Sequence, residues 1–171
     1  MKRVIGYHDI SKKQFSTRLD TSGLNEPNIV FFDVDSSYLQ KLVNSHKSNP
    51  LVKYYYQPVQ IIYYKDAKPV SFIANCFIRG SLTGLKWAED KSFASFPPQS
   101  YLPEDKIINV NTLLKLDLNH KYTIIFLWSN LATNEAQRAI ETVTGNLQRF
   151  NVKDYIIYIG NIDEALRKLH K

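Results

Sequence analysis

The sequence predicts one α/β domain built on a mixed β-sheet with helices on its faces. Three observations carry that expectation. Short apolar runs of strand length alternate along the chain with amphipathic segments of helical period. In the last third, a buried strand over 122–128, an amphipathic helix over 134–150 and a second strand over 155–159 follow one another as a βαβ unit, which makes its two strands parallel. Two further β-type runs, 59–64 and 70–77, flank Lys65-Asp66-Ala67-Lys68 in the pattern of an antiparallel hairpin. At 171 residues, 44% of them hydrophobic, a single domain over 1–171 can bury about 70% of its unfolded surface and needs no staples.

Taken in order, residues 3–7 read as a first strand. Residues 9–20 read as a short helix carried by Ile10, Phe15 and Leu19. A turn cluster from Ser22-Gly23 to Pro27 leads into the strand Asn28-Ile29-Val30-Phe31-Phe32-Asp33-Val34-Asp35, whose acids fall at its carboxyl end. A helix over 36–46 follows, with Tyr38, Leu39, Leu42 and Val43 on one face and Ser37 with Gln40 at capping-box spacing. It stops near Asn49-Pro50, and the hairpin comes next. Residues 80–103 lack periodicity and contain Pro97-Pro98 and Pro103, which predicts an irregular connection pinned by Trp87, Phe93 and Phe96. After the βαβ unit, Ile162, Leu166 and Leu169 line a C-terminal helix. Its acids Asp163 and Glu164 come first and its bases Arg167 and Lys168 last, as the helix dipole favours.

The charge excludes less than its size suggests. With 22 Lys plus Arg against 16 Asp plus Glu the net is +6, but the cations come singly or in pairs rather than along one track, so nucleic acid is not the expected partner. Lys53-Tyr54-Tyr55-Tyr56 and Tyr63-Tyr64-Lys65 set aromatics beside lysines, as base-stacking platforms do, and strand alternation accounts for both. The lone Cys76 excludes an internal disulfide and any multi-cysteine metal site, and reads as a small buried hydrophobe. The histidines His8, His46, His120 and His170 show no ligand spacing, and the six glycines form no phosphate loop. No apolar run reaches the roughly 18 residues of a membrane span. The expected location is the cytoplasm by default, with an exported mature form as the alternative.

Two stretches resemble known sites. The run Phe126-Leu127-Trp128-Ser129-Asn130-Leu131-Ala132-Thr133-Asn134-Glu135 resembles the strand-to-helix turn of thioredoxin-like proteins, with the two cysteine positions falling on Ala132 and Glu135. Neither side chain can supply the thiolate that disulfide exchange needs. Residues 29–73 look like the later half of such a domain, Pro58 matching the family's cis-proline, although the two halves occur in the reverse of the family's order. The resemblance implies a thioredoxin-like three-layer architecture that is redox-inactive. Separately, Phe31-Phe32-Asp33-Val34-Asp35 resembles the first motif of haloacid-dehalogenase-like phosphatases. That resemblance makes Asp33 the nucleophile, Asp35 the acid/base, Ser129 the second motif and Asp163 part of the acidic motif, with magnesium held by Asp33, Asp35 and Asp163. Two carboxylates at i and i+2 of one strand would share a face and a hard cation.

The leading expectation is therefore a non-catalytic, thioredoxin-like protein-interaction domain without cofactor. It would bind another protein through Trp128, Asn130 and Glu135 at the rim, together with Trp87 and Phe96. The alternative is a magnesium-dependent phosphatase at Asp33 and Asp35.

Overall fold

A computed structural model describes residues 26–74, 87, 100 and 102–169. The expected strand at 3–7, the helix at 9–20, Cys76 with the last residues of the second hairpin strand, and most of 80–103, Phe93 and Phe96 included, lie outside the described residues. So do His8 and His170.

Strand β1 (Ile29–Asp33) leads into α1 (Tyr38–Ser45). The helix start differs from the predicted capping box. Ser37 makes no side-chain cap; instead its backbone N–H (2.8 Å) and hydroxyl (2.7 Å) both donate to Asp35 Oδ1. Gln40 Nε2 points elsewhere and donates to the Lys168 carbonyl at 2.9 Å. The carboxylate two residues before the cap position satisfies the Ser37 N–H, one of the groups that the box was expected to satisfy.

His46 closes α1, and Asn49 with Pro50 starts the next element. Asn49 Oδ1 accepts from Leu51 N at 2.9 Å, and Pro50 opens a 3₁₀ helix over Pro50–Tyr56. A capping side chain followed by proline, whose missing N–H costs nothing there, is the logic of a helix start. The tyrosine run at 54–56 is therefore helical rather than alternating. Tyr55 is fully buried and its ring stacks on Phe72 at 4.6 Å between centroids.

The hairpin is β2 (Val59–Lys65) and β3 (Lys68–Ala74), antiparallel, with an irregularity in register at Tyr63/Tyr64. Its two turn residues, Asp66 (φ 48°) and Ala67 (φ 62°), both adopt the left-handed conformation. That conformation matches strand twist in a two-residue turn but strains a residue with a Cβ. A 3₁₀ turn (Glu104–Lys106) and a single-turn helix α2 (Asn111–Leu114) precede β4 (Tyr122–Trp128). Helix α3 (Thr133–Arg149) then leads to β5 (Tyr155–Asn161), and α4 (Asp163–Leu169) follows.

The five strands form one mixed sheet in the order β1-β5-β4-β2-β3. The crossover strands β4 and β5 pair directly and in parallel, Tyr122 beside Tyr155 and Trp128 beside Asn161. Strand β1 joins β5 in parallel at one edge. On the other side of β4 the hairpin is antiparallel, Val59 facing Trp128. At β5 a glycine is required: a Cβ on Gly160 would lie 2.7 Å from both Phe32 Cζ and Val34 Cγ2. The Phe32 ring of the neighbouring strand fills that space and meets Tyr158 edge-on at 6.2 Å.

Because successive strand residues point to opposite faces, the buried runs of β2, β4 and β5 supply two cores. On one face α3 lays Ala136, Ala139, Ile140, Val143 and Leu147 over Ile61, Tyr63, Ile124, Phe126, Ile157 and Ile159, with Trp87 beside them. The other face is covered by several pieces: α1, Val52 and Tyr55 of the 3₁₀ helix, residues 102–114, and α4. Tyrosine hydroxyls fasten this second layer. Tyr55 Oη accepts from Ile108 N at 2.7 Å and Tyr64 Oη from Val110 N at 3.2 Å. Ser100 Oγ accepts from Phe72 N of edge strand β3 at 2.9 Å.

Candidate functional site

Parallel pairing brings the carboxyl ends of β1, β5 and β4 to one rim, where Asp33, Asn161 and Trp128 stand side by side in register. The chain leaves β4 toward α3 on one face, and leaves β5 and β1 toward α4 and α1 on the other. Neighbouring strands whose exits diverge in this way open a crevice at their carboxyl ends, the place where open α/β sheets hold ligands.

Asp163, the first residue of α4, bridges this crevice. Ser129 Oγ donates to its Oδ1 at 2.5 Å, and Asn130 donates from its backbone N to Oδ1 at 3.2 Å and from Nδ2 to Oδ2 at 2.5 Å. From the β5 side, Asn161 Oδ1 accepts from Asp163 N at 3.0 Å. Ile162 N donates to the Trp128 carbonyl at 2.8 Å, prolonging the parallel ladder past the strand ends. Ser129 is fully buried, and its Oγ also accepts from Leu131 N at 3.2 Å, capping the 3₁₀ turn Asn130–Ala132. A serine acts as a nucleophile when a base takes its proton; here the proton is held by a carboxylate already engaged with Asn130. Neither described histidine is available to it. His46 closes α1 with its ring against the Leu42 carbonyl, and His120 pairs with Asp154 at the amino ends of β4 and β5.

Of the acidic pair, Asp33 is the last residue of β1 and Asp35 lies two residues beyond it; both are exposed. Asp35 accepts from Lys41 Nζ at 2.6 Å and from Ser37. Lys41 first, and then Ser37, hold this carboxyl well below the usual carboxylate range. Among the described residues no three His, Cys, Asp or Glu side chains come together to hold a metal, and the expected set Asp33, Asp35 and Asp163 is no exception. Ser129 and Asp163, which the same resemblance linked, do meet.

The residues expected to contact a partner divide likewise. Asn130 is partly exposed within the bridge, and Glu135 is half-buried in the first turn of α3, where an acid suits the helix dipole. Trp128 and Trp87 are 2% and 5% exposed, and both indoles belong to the core under α3, Trp87 lying 5.6 Å from the Phe150 ring. Trp128 lies beneath the rim, whereas Trp87, against Tyr63 and Phe150, sits toward the other end of the sheet; neither presents itself as a contact surface. Leu131, which the sequence reading passed over, is 69% exposed at the tip of the rim turn. An apolar residue inside a polar Ser-Asn-x-Ala turn was the available signal. Of the tyrosines set beside lysines, Tyr55, Tyr63 and Tyr64 are wholly buried, which removes them as stacking platforms. Among the described residues no helix is long and apolar enough to cross a membrane. No family model, no curated protein and no solved structure matches the chain.

Proposed function

We propose that the chain is a non-catalytic protein-interaction domain, thioredoxin-like in layout and redox-inactive, that receives its partner at the carboxyl-end rim around residues 129–135. The observation that carries this reading is the set of hydrogen bonds by which Ser129, Asn130 and the Asn161 side-chain carbonyl oxygen tie themselves to Asp163, leaving the Ser129 hydroxyl and the Asp163 carboxylate engaged with each other. Leu131 projects at 69% exposure from the same turn. A hydroxyl and a carboxylate bonded to each other beneath one projecting apolar side chain suit docking better than chemistry.

The layout draws support from the neighbourhood of its two halves. The β4-α3-β5 crossover and the β2-β3 hairpin share one sheet, and Val59, directly after Pro58, faces Trp128 at the rim. The reversed order of these halves along the chain changes their connections and leaves that adjacency intact. Ala132 and Glu135 occupy the positions of the family's two thiols.

A photo-crosslinking amino acid at position 131, in the full chain in its own cell, tests the site. The expected result is a discrete protein adduct at 131, absent when the same group stands at exposed position 112, and lost when Leu131→Glu accompanies a crosslinker at position 130. Equal labelling at 131 and 112 would overturn the proposal. Turnover of an aryl phosphate that requires magnesium and disappears in Asp33→Asn would replace it with the phosphatase.

A further inference from the structure

Among the described residues β3 is an outer edge of the sheet, paired with β2 on its inner side. The main-chain groups that face away from β2 belong to alternate residues, and at Phe72 both are taken by one side chain. Phe72 N donates to Ser100 Oγ at 2.9 Å, and Ser100 Oγ donates to the Phe72 carbonyl at 3.4 Å. The N–H of Leu102 donates to the same Oγ at 3.3 Å. One donated and two accepted bonds use the whole capacity of a hydroxyl. Leu102 is buried in the core on this face and so moors Ser100, two places before it and itself exposed, against the strand.

The start of β3 carries other obstacles to a further strand. Lys68 is exposed there, Pro69 has no N–H to offer, and the pairing of Tyr63 with Ser71 and of Tyr64 with Pro69 leaves Val70 as an extra, bulged residue. Charge, proline and a bulge each keep sheet edges from pairing with one another. All three lie ahead of Phe72, where the obstacle is Ser100. Two groups that reach the same oxygen point the same way, as the N–H and C=O of one residue do toward an antiparallel neighbour that exchanges both bonds with it. A second copy of the chain offers such a neighbour. With Phe72 opposite its counterpart about a two-fold axis, each strand supplies one N–H and one C=O to the other. We propose that Ser100 is a latch on the outer edge of β3, its hydroxyl standing where the β3 strand of a second copy would otherwise add to the sheet.

Sedimentation of the full chain carrying Ser100→Ala or Ser100→Thr, combined with amide exchange at Phe72, tests the latch. Ser100→Thr keeps the hydroxyl and should sediment as the parent does, whereas Ser100→Ala should approach twice the parent's mass as concentration rises. The Phe72 amide should be protected in the parent, exchange about tenfold faster in dilute Ser100→Ala, where its acceptor is gone, and regain protection in the associated form. The proposal is overturned by a Ser100→Ala protein that keeps the parent's mass at every concentration, by association that leaves the Phe72 amide unprotected, or by equal association of Ser100→Thr. An unprotected Phe72 amide in the parent overturns it as well, and that measurement holds even where Ser100→Ala fails to fold.

Discussion

The two faces of the sheet are covered by different kinds of layer. Among the described residues one is roofed by α3, a 17-residue helix joined at both ends to the strands it covers, which buries an apolar stripe against them with Thr144 and Asn146 alongside. The other is assembled from α1, the 3₁₀ helix, residues 102–114 and α4, which come from distant parts of the chain, and tyrosine hydroxyls hold it to backbone N–H groups. A continuous amphipathic helix can cover strands by hydrophobic burial alone. A layer of short pieces has too many free backbone groups for that, and it uses polar side chains reaching up from the sheet and the 3₁₀ helix to satisfy them.

Truncation under the continuous roof sharpens the contrast most. Ile140→Ala, at a site 1% exposed, should cost about 2–5 kcal/mol and lower the whole urea transition as a unit. Tyr55→Phe on the assembled face should cost only about 1–3 kcal/mol, the penalty of leaving the buried Ile108 N–H without its acceptor. Its signature should be local. Amides of residues 107–114 should exchange with solvent earlier than in the parent while those of α3 stay protected, as expected where stability is not uniform. Identical exchange profiles for the two variants would erase the distinction between the faces.

A change outside both layers provides the baseline. Ala67→Gly relieves a residue held at φ 62° in the hairpin turn and should raise stability by about 1 kcal/mol, read as a higher urea midpoint with unchanged slope. The smallest effect is electrostatic. Asp35 is held below the usual carboxylate range by Lys41 and Ser37, and Asp154 is lowered by His120 and the Lys121 N–H. A lowered folded value means stability present above the unfolded value of about 3.9 and lost as pH falls toward the folded one. Asp35→Asn should therefore lose a little stability at pH 6, and that difference should shrink steadily below about pH 4. A gap independent of pH would remove the role given to the carboxylate. Both pairs are exposed, so added salt should weaken the effect.

The same contrast explains what the sequence discloses. Residues 122–161 announce themselves because strand, helix and strand are consecutive, each with an unbroken period, and the stripe Ala136, Ala139, Ile140, Val143 and Leu147 has one possible destination. The hairpin is legible for the same reason. Residues 102–118 have no such signature. Ile107, Ile108, Val110 and Leu114 are buried by contacts with Tyr55 and Tyr64 from far upstream, and nothing local encodes those partners. The tyrosines at 54–56 mislead because their strand preference is overridden by Asn49 and Pro50, which start a helix before them. At the rim, the expected parallel pairing of 122–128 with 155–159 already brings the carboxyl ends of both strands to one edge. The bonds that make Asp163 the keystone of that edge depend on side-chain directions that spacing does not specify.

Gly160 stands one residue before Asn161 and directly beside Phe32, with Asp33 next along the edge strand. The place of two edge-strand side chains at the rim thus depends on an atom that this position omits. Any replacement would have to push aside the Phe32 ring and the Val34 methyl, the two side chains that flank Asp33 along the edge strand. A mutational screen for partner binding should accordingly score position 160 among the sensitive ones, and an investigator mapping the interface from that score alone would place it inside the protein.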